Sequence, residues 1–237
     1  MIVLERGVFS GELNMAVDYV LGSWARRLGE PILRFYGWEQ PTLSLGRFQK
    51  LEGIKIPNGI AVVRRPSGGR AVLHHHELTY CLAVPTEHPL GKLSVLEFHK
   101  IVHEAIRRAL LDLGFDAEVS NKMERSDPFC FRTVSRYEIT VGGKKVVGSA
   151  QFRTVDAVVE HGSIVLSLDR ELVAEIFGKI VGKAGGLWEF KHVGIGDLEE
   201  SLESSFERIF GKIRKEESLM GEILKEAHNL KGMFKAI

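Results

Sequence analysis

The two cysteines of the chain differ in their surroundings, and the difference bears on which of them could act as a nucleophile. Cys130 stands between two phenylalanines and close to Arg132, just before a predicted strand. A loop cysteine with cationic neighbours ionises more readily than a free thiol, and the thiolate is the nucleophilic form. Cys81 lies in the apolar run 78–84 and fits an inert core residue. Because two phenylalanines flank Cys130, an inert core role stays open for that cysteine as well.

A glycine-rich loop, RRPSGGR at positions 64–70, joins two predicted strands. Its paired glycines, Gly68 and Gly69, let a ligand approach the backbone closely, and its three arginines could donate to phosphate or carboxylate. A hairpin turn with solvated arginines is the alternative. The loop is therefore a candidate binding segment that needs support from elsewhere in the chain.

A second glycine-rich segment, GGKKVVGSAQ at 142–151, predicts a turn that leads into a strand. In a regular strand Lys145 and Val147 share one face, and Lys144 points to the other. Lys145 would then place a positive charge beside the small residues that follow, with Gly148 permitting close backbone contact. An ordinary two-glycine hairpin with exposed lysines is an equal alternative.

Histidines occur in two groups that invite a metal interpretation. His74, His75 and His76 are consecutive, and in a continuous strand the first and third share a face. His99 and His103 avoid the apolar face of a predicted helix, so we expect both to be solvated. The sequence completes no tetrahedral set of cysteine, histidine and acid, so no metal is predicted. His74, next to the glycine-rich loop, is the histidine expected at a binding site.

The elements that must position these residues follow from the periodicity of the sequence. Apolar residues at three- and four-residue spacing predict helices over 12–28, 99–113, 170–177, 197–213 and 216–234, with Asp169 capping the third. Short β-branched and alternating runs predict strands over 32–38, 43–48, 60–65, 78–84, 137–141, 145–152 and 157–168. Because strands dominate the middle and helices the ends, the fold class is α+β, with a mixed, mostly antiparallel sheet flanked by helices. We expect residues 1–237 to form a single domain with a helical C-terminal segment from about residue 169.

Composition excludes several classes of protein. Hydrophobic residues make up 44% and charged residues 27% of the chain, as in a folded globular protein rather than a disordered one. A formal net charge of +1 offers no field for nucleic acid or an anionic membrane. There is no signal peptide pattern and no apolar run of about 18 residues. With two cysteines in unlike segments, a reducing, cytoplasmic location is expected.

Taken together, the motifs resemble the biotin/lipoate protein ligase and transferase family, and within it the cysteine-dependent octanoyltransferases. The resemblance rests on RRPSGGRAVLHHHELTY at 64–80, on PFCF at 128–131 with a lysine fifteen residues after the cysteine, and on HGSIVLSLD at 161–169. It implies a fold like the catalytic domain of biotin and lipoate ligases, with Cys130 and Lys145 as the catalytic pair. The substrate-binding residues that it implies are Arg65, Ser67, Gly68, Gly69, Arg70, His74, Gly148, Ser149, Ala150 and His161.

The resemblance further implies transfer of an octanoyl group from acyl carrier protein to a lysine of a lipoyl-domain protein, such as the glycine-cleavage H protein. The acyl group would pass through a thioester on Cys130, and Lys145 would favour the thiolate by lowering the thiol pKa. Because a thioester donor is already activated, neither ATP nor a cofactor is expected.

Departures from the family pattern bear on the alternatives. ATP-dependent lipoate ligases usually carry a third glycine after SGG and an acidic residue after the first histidine, where this chain has Arg70 and His75. They also tend to have a further C-terminal domain, for which the residues after Asp169 are too few. Amidotransfer between lipoyl domains, the ATP-dependent ligase and a non-catalytic binding module stay open as alternatives. No helix-turn-helix pattern or basic stripe points to a nucleic-acid partner.

Overall fold

The computed structural model describes residues 1–119, 138–178 and 183–236. The strands in these ranges are β1 (Ile2–Phe9), β2 (Ile32–Trp38), β3 (Thr42–Leu45), β4 (Ala61–Arg64), β5 (Val72–His74), β6 (His76–Pro85), β7 (Ala117–Val119), β8 (Ile139–Val141), β9 (Lys144–Lys145), β10 (Val147–Arg153), β11 (Ala157–Ser167) and β12 (Arg214–Lys215). The helices are α1 (Gly11–Leu28), α2 (Val95–Asp112), α3 (Arg170–Phe177), α4 (Ile195–Phe210) and α5 (Glu217–Leu230). Short 3-10 turns occur at Pro89–Lys92, Leu187–Glu189 and Lys231–Phe234. None of the helices in the described ranges is both long enough and apolar enough to cross a lipid bilayer.

Six of the described strands form the main sheet, in the order β10–β11–β6–β2–β1–β12. From β10 to β2 the neighbours are antiparallel, whereas β1 is parallel to both β2 and β12. Two three-stranded sheets, β4–β3–β5 and β7–β8–β9, accompany it. The predicted fold class, a mixed and mostly antiparallel sheet flanked by helices, is confirmed.

Amphipathic helices cover both faces of the main sheet. On one face α2 and α4 pack over apolar side chains such as Leu33 and Leu82. On the other face α1 and α5 pack over the residues adjacent to these in the strands, such as Ile32 and Ala83. Successive side chains of a strand point to opposite faces, so a strand covered on both sides is apolar over most of its length. The central strands β6 and β11 meet this condition and are buried almost throughout.

Capping interactions set the ends of the helices that border the site. Ser10 caps α1 through its side chain, and Gly29 ends that helix in the left-handed conformation, with φ of 67°. Ser94 and Glu97 form a reciprocal capping box at the start of α2. Asp169 caps α3, as the sequence predicted. These contacts fix where α1 and α2 begin, and both helices supply polar side chains to the centre of the sheet.

Sequence and structure agree most closely where the local signal is strong. β2 and α3 have the bounds predicted for them, 32–38 and 170–177. β1 was not predicted, because its first half is a short apolar run and its second half is largely exposed. The three consecutive histidines do not form one continuous strand, because β5 ends at His74 and β6 begins at His76. The condition under which His74 and His76 would share a face is therefore not met, and His74 is buried whereas His76 is exposed.

Candidate active site

A pocket that is partly open to solvent lies where the β4–β3–β5 sheet approaches β10 and β11. Residues of the RRPSGGR loop, of β10 and of β11 contribute to its wall. The predicted substrate-binding residues that line it are Arg65, Gly69, His74, Gly148, Ser149, Ala150 and His161. Ser67, Gly68 and Arg70 belong to the same loop but do not form part of the lining.

Antiparallel pairing of β10 with β11 brings two of the predicted segments side by side. Gly148, Ser149 and Ala150 lie opposite Ser163, Gly162 and His161, respectively. Gly162 has no room for a side chain, because a Cβ atom there would lie 2.4 Å from Oγ of Ser149. Glycine at this position therefore allows the Ser149 hydroxyl to sit against the neighbouring strand.

The guanidinium of Arg65 holds the glycine-rich loop in shape. Its Nη2 donates to the carbonyl oxygens of Gly68 at 2.8 Å and Arg70 at 2.7 Å, and its Nη1 donates to that of Ser44 at 3.0 Å. Gly69 adopts a φ of +92°, in the left-handed region that favours glycine. Arg65 thus organises the loop by hydrogen bonds to backbone carbonyl oxygens. The presence of an arginine in the sequence does not by itself reveal this role.

A buried carboxylate that was not predicted, Asp18 of α1, orients a histidine of the pocket wall. Its Oδ2 lies 2.8 Å from Nδ1 of His161 and accepts from the Tyr36 hydroxyl at 2.8 Å. Its Oδ1 accepts from buried Arg34 at 3.1 Å. Since a carboxylate only accepts, Nδ1 of His161 carries hydrogen, and Nε2 lies 2.6 Å from the Ser67 hydroxyl. The imidazole is thereby held in one orientation at the pocket.

Tyr36 remains a hydrogen-bond donor in this network. Burial, reinforced by the nearby negative charge of Asp18, raises the pKa of the Tyr36 hydroxyl well above its usual value. The neutral hydroxyl therefore persists at any physiological pH and helps to satisfy the buried carboxylate.

A second histidine in the pocket wall, His74, is oriented by Glu77. Nδ1 of His74 lies 2.7 Å from Oε1 of Glu77, and its Nε2 lies 2.7 Å from the Ser44 hydroxyl. Burial by itself would raise the pKa of Glu77, but the charge of His74 and hydrogen bonds from His74, Thr79 and Ser163 outweigh burial, so the pKa is lowered. Glu77 is therefore ionised at neutral pH and fixes the ring of His74.

Behind Ser149 lies a further group of polar side chains. Oγ of Ser149 is 2.8 Å from Nε2 of His103 and 2.7 Å from the Tyr80 hydroxyl. Nδ1 of His99 is 3.0 Å from the fully buried carboxylate of Glu160. The expectation that His99 and His103 are solvated is wrong, since His103 is fully buried and the side chain of His99 is only 16% exposed. The expectation failed because Glu160 of β11 meets both histidines from the sheet, and the sequence of α2 alone does not reveal that partner.

Lys145, one member of the predicted catalytic pair, is fully buried, and its Nζ lies 2.5 Å from the carboxylate of Glu138, which is also buried. Lys144 points away, as predicted, and pairs with Glu189 at the surface. The single strand predicted over 145–152 is instead two strands, because β9 belongs to the β7–β8–β9 sheet and β10 to the main sheet. The pocket-lining segment of β10 therefore begins just after the buried ammonium of Lys145.

Of the two cysteines, only Cys81 lies within the residues that the structure describes. Cys130 lies outside them, so its distance from Lys145 and its role stay predictions. Cys81 is fully buried in the centre of the main sheet. Burial, with the nearby charge of Asp18, raises the pKa of the Cys81 thiol well above its usual value. Cys81 thus has the surroundings predicted for an inert core residue.

The arrangement can hold an acyl chain by its polar end. Apolar side chains such as Met15 and Val72 share the lining with glycines, hydroxyl groups and two oriented imidazoles. An aliphatic chain can pack against the former while its carbonyl oxygen meets hydrogen-bond donors. Fold and pocket together define an α+β domain with a pocket of mixed apolar and polar lining, the kind of site that binds a small ligand.

The chain belongs to the lipoyl protein ligase A/B catalytic domain family, whose match covers residues 10–207. It is 36% identical over 250 aligned positions to octanoyltransferase LipM of Carboxydothermus hydrogenoformans, covering 93% of each chain. It is 40% identical to octanoyltransferase LipM of Lysinibacillus sphaericus over 190 positions, covering 73% of this chain and 68% of that one. The expected family resemblance is confirmed.

Solved structures show the same fold at lower sequence identity. The crystal structure of lipoate-protein ligase A bound with ATP superposes with a TM-score of 0.80 at 20% identity, covering 96% of this chain and 93% of that one. At this identity the likeness establishes the fold.

Proposed function

We propose that this enzyme transfers an octanoyl group from acyl carrier protein to a lysine of a lipoyl-domain protein. The observation that carries the proposal is the identity of 36% with an octanoyltransferase, sustained over 93% of both chains. The pocket supports it, since seven predicted substrate-binding residues from separate segments converge on one cavity whose lining is both apolar and polar. We also propose that the chain is a single domain that works in the reducing cytoplasm, where a nucleophilic cysteine stays a free thiol.

The proposed reaction has two steps: exchange of one thioester for another, and then conversion of the thioester to an amide. Cys130 releases its thiol proton, and its thiolate attacks the carbonyl carbon of the octanoyl thioester. The bond from that carbon to the carrier sulfur breaks, and the carrier thiolate takes up the released proton. The amine of the acceptor lysine then attacks the enzyme thioester, an amide forms, and Cys130 recovers its proton. Exchange between thioesters is nearly isoenergetic and amide formation is downhill, so the sequence of steps runs without nucleotide.

Lys145 and Glu138 have distinct tasks in this proposal. The ammonium of Lys145 favours the thiolate of Cys130, since a cation within about 4–6 Å of a thiol lowers its pKa. Glu138, at 2.5 Å from Nζ, fixes the position of the ammonium inside the protein. The carboxylate of Glu138 offsets part of the positive field of the ammonium. The effect of Lys145 on the thiol pKa therefore depends on where its ammonium is held.

The pocket wall supplies the contacts for the acyl group. The hydroxyl of Ser149 and the oriented imidazoles of His74 and His161 face the ligand, while Gly148 and Gly69 let backbone approach it. We propose that the Ser149 hydroxyl donates to the carbonyl oxygen as negative charge develops on it. His74 and His161, whose ring nitrogens are all hydrogen-bonded within the protein, shape the wall around the acyl group. Asp18 serves as a positioning residue that acts through His161.

Turnover with defined partners tests the function. The enzyme is mixed with octanoyl carrier protein and a lipoyl-domain protein such as the glycine-cleavage H protein, without ATP or Mg²⁺, and the acceptor is analysed by intact mass and peptide mapping. We expect one octanoyl amide on a single acceptor lysine. Octanoylation only from free octanoate with ATP would overturn the proposal in favour of a ligase. Transfer only from an octanoylated lipoyl domain, and never from carrier protein, would overturn it in favour of an amidotransferase.

A further inference from the structure

A cluster of potential metal ligands lies between α2 and β11, behind Ser149. His99 and His103 stand one helical turn apart, with 3.9 Å between the centroids of their rings. Glu160 reaches them from β11, 61 residues further along the chain than His99. One nitrogen or oxygen atom from each residue lies within 4.8 Å of the other two. Histidines four residues apart on a helix, joined by a distant carboxylate, are a ligand arrangement typical of metal sites.

The distances suit a tetrahedral ion. Nδ1 of His99 and Nε2 of His103 lie 3.0 Å and 3.9 Å from the same oxygen of Glu160, Oε1. Metal–ligand bonds of about 2.0–2.1 Å at tetrahedral angles separate the ligand atoms by about 3.3–3.4 Å. These two separations bracket that value and the third is below 4.8 Å, so small rotations of the side chains would let them share an ion.

A hydrogen bond from Gln151 fixes the orientation of the Glu160 carboxylate toward the two histidines. Nε2 of Gln151 donates to Oε2 of Glu160 at 3.0 Å, which leaves Oε1 turned toward the histidines. A hydrogen bond to the outer oxygen of a ligating carboxylate is a usual partner of a metal site. The carboxylate is fully buried, so a positive charge beside it offsets the cost of its desolvation.

We propose that His99, His103 and Glu160 bind one divalent transition-metal ion of the Zn²⁺ type. Two imidazole nitrogens with one carboxylate favour Zn²⁺ or Co²⁺ over Mg²⁺ and Ca²⁺, which prefer oxygen ligands. The fourth position faces Ser149, whose Oγ lies 2.8 Å from Nε2 of His103. The ion ties α2 to β11 and fixes a hydroxyl that lines the acyl pocket. Ions enter past the edge of His99, whose side chain is 16% exposed.

The test of this site is direct metal binding, which is measured without the transfer reaction. The full chain carries Cys130→Ala in every sample, because a free thiol would itself bind Zn²⁺. Protein freed of metal with a chelator is titrated with Zn²⁺ by calorimetry and with Co²⁺ by visible absorption. We expect one ion per chain, intense Co²⁺ bands of a tetrahedral site, a raised melting temperature with Zn²⁺ and no response to Mg²⁺.

Three variants locate the ion. Glu160→Gln and His103→Ala should each weaken Zn²⁺ binding by more than the ~10–100-fold that loss of an outer partner costs. His99→Ala, at the partly exposed edge, should do the same and serves if the buried His103 variant fails to fold. His76→Ala is the matched control, since this exposed histidine stacks on His75 at 3.8 Å between centroids and should leave binding unchanged.

Two results would overturn the site. One is the absence of stoichiometric Zn²⁺ binding to the folded parent protein, which would leave the cluster as a hydrogen-bonded group without metal. The other is binding that survives both Glu160→Gln and His99→Ala, or that His76→Ala weakens as strongly, since either would place the ion elsewhere on the surface.

Discussion

Replacing Lys145 by methionine should destabilise the fold as well as stop catalysis, and the two effects can be separated. The side chain is fully buried, with Nζ 2.5 Å from Glu138. Lys145→Met removes one partner and leaves a carboxylate buried without its ammonium, which costs about 3–5 kcal/mol in comparable pairs. A domain has only about 5–15 kcal/mol of stability in total. The loss is therefore large enough to mimic a catalytic defect by unfolding the enzyme.

A double substitution removes that ambiguity. Replacing both residues by apolar ones of similar size, Lys145→Met with Glu138→Leu, is expected to be far less destabilising than either single change, because neither member of the pair is left buried without the other. Unfolding free energies of the parent, both single variants and the double variant are measured in guanidinium chloride and combined as a double-mutant cycle. We expect each single variant to lose about 3–5 kcal/mol and the double variant to recover most of it.

Acylation should follow a different pattern from stability. The double variant is folded but lacks the ammonium, so transfer stays as low as in Lys145→Met alone. The reasoning is refuted if the single variant loses less than about 1 kcal/mol, since a buried pair cannot be broken so cheaply. Recovery of acyl transfer in the double variant would equally refute a catalytic role for Lys145.

Three further predictions concern thiols and pH. In the folded protein iodoacetamide should modify Cys130 alone, and Cys81 should react only after denaturation; peptide mapping that finds Cys81 modified in the native state would contradict its burial. The pH midpoint of Cys130 alkylation should lie below the ~8.5 of an unperturbed thiol, rise in the Lys145→Met variant and stay unchanged in Lys144→Met. Because the pKa of Glu77 is lowered in the fold, its ionised form stabilises the protein above the unfolded value of about 4.3, and this contribution is lost as the pH falls through the folded value. The difference in unfolding free energy between wild type and Glu77→Gln should therefore be largest near neutral pH and shrink below about pH 4.3; a difference independent of pH would exclude the charge as its cause.

Much of the pocket could be predicted from sequence because its parts are local patterns. Glycine pairs, short alternating runs and small residues after a lysine mark loops and strand ends, and each lies within one segment. Gly148 was singled out from such a segment, whereas His161 was placed at the site by the family resemblance, and the pairing of β10 with β11 brings their segments together. Family resemblance then related the segments to one another, which periodicity cannot do.

The polar partners of the site could not be predicted, since they come from elements distant in sequence. Asp18 meets His161 across 143 residues, and Glu160 meets His99 across 61 residues. An acid on an amphipathic helix or in an apolar strand gives no local sign of the histidine that it will face. The burial of His103 was mispredicted for the same reason, because the helix pattern does not show the carboxylate on the sheet beneath.

Trapping the acyl group on the enzyme shows whether transfer passes through a thioester on Cys130. Purified enzyme is incubated with octanoyl carrier protein, without acceptor, ATP or Mg²⁺, and its intact mass is recorded before and after treatment with hydroxylamine. We predict one octanoyl group per chain, removed by hydroxylamine as expected of a thioester, mapped to Cys130 and missing from Cys130→Ala, while Cys81→Ala is acylated normally. An enzyme that transfers octanoyl to its acceptor without ever carrying it on Cys130, or that carries it on another residue, would contradict the claim.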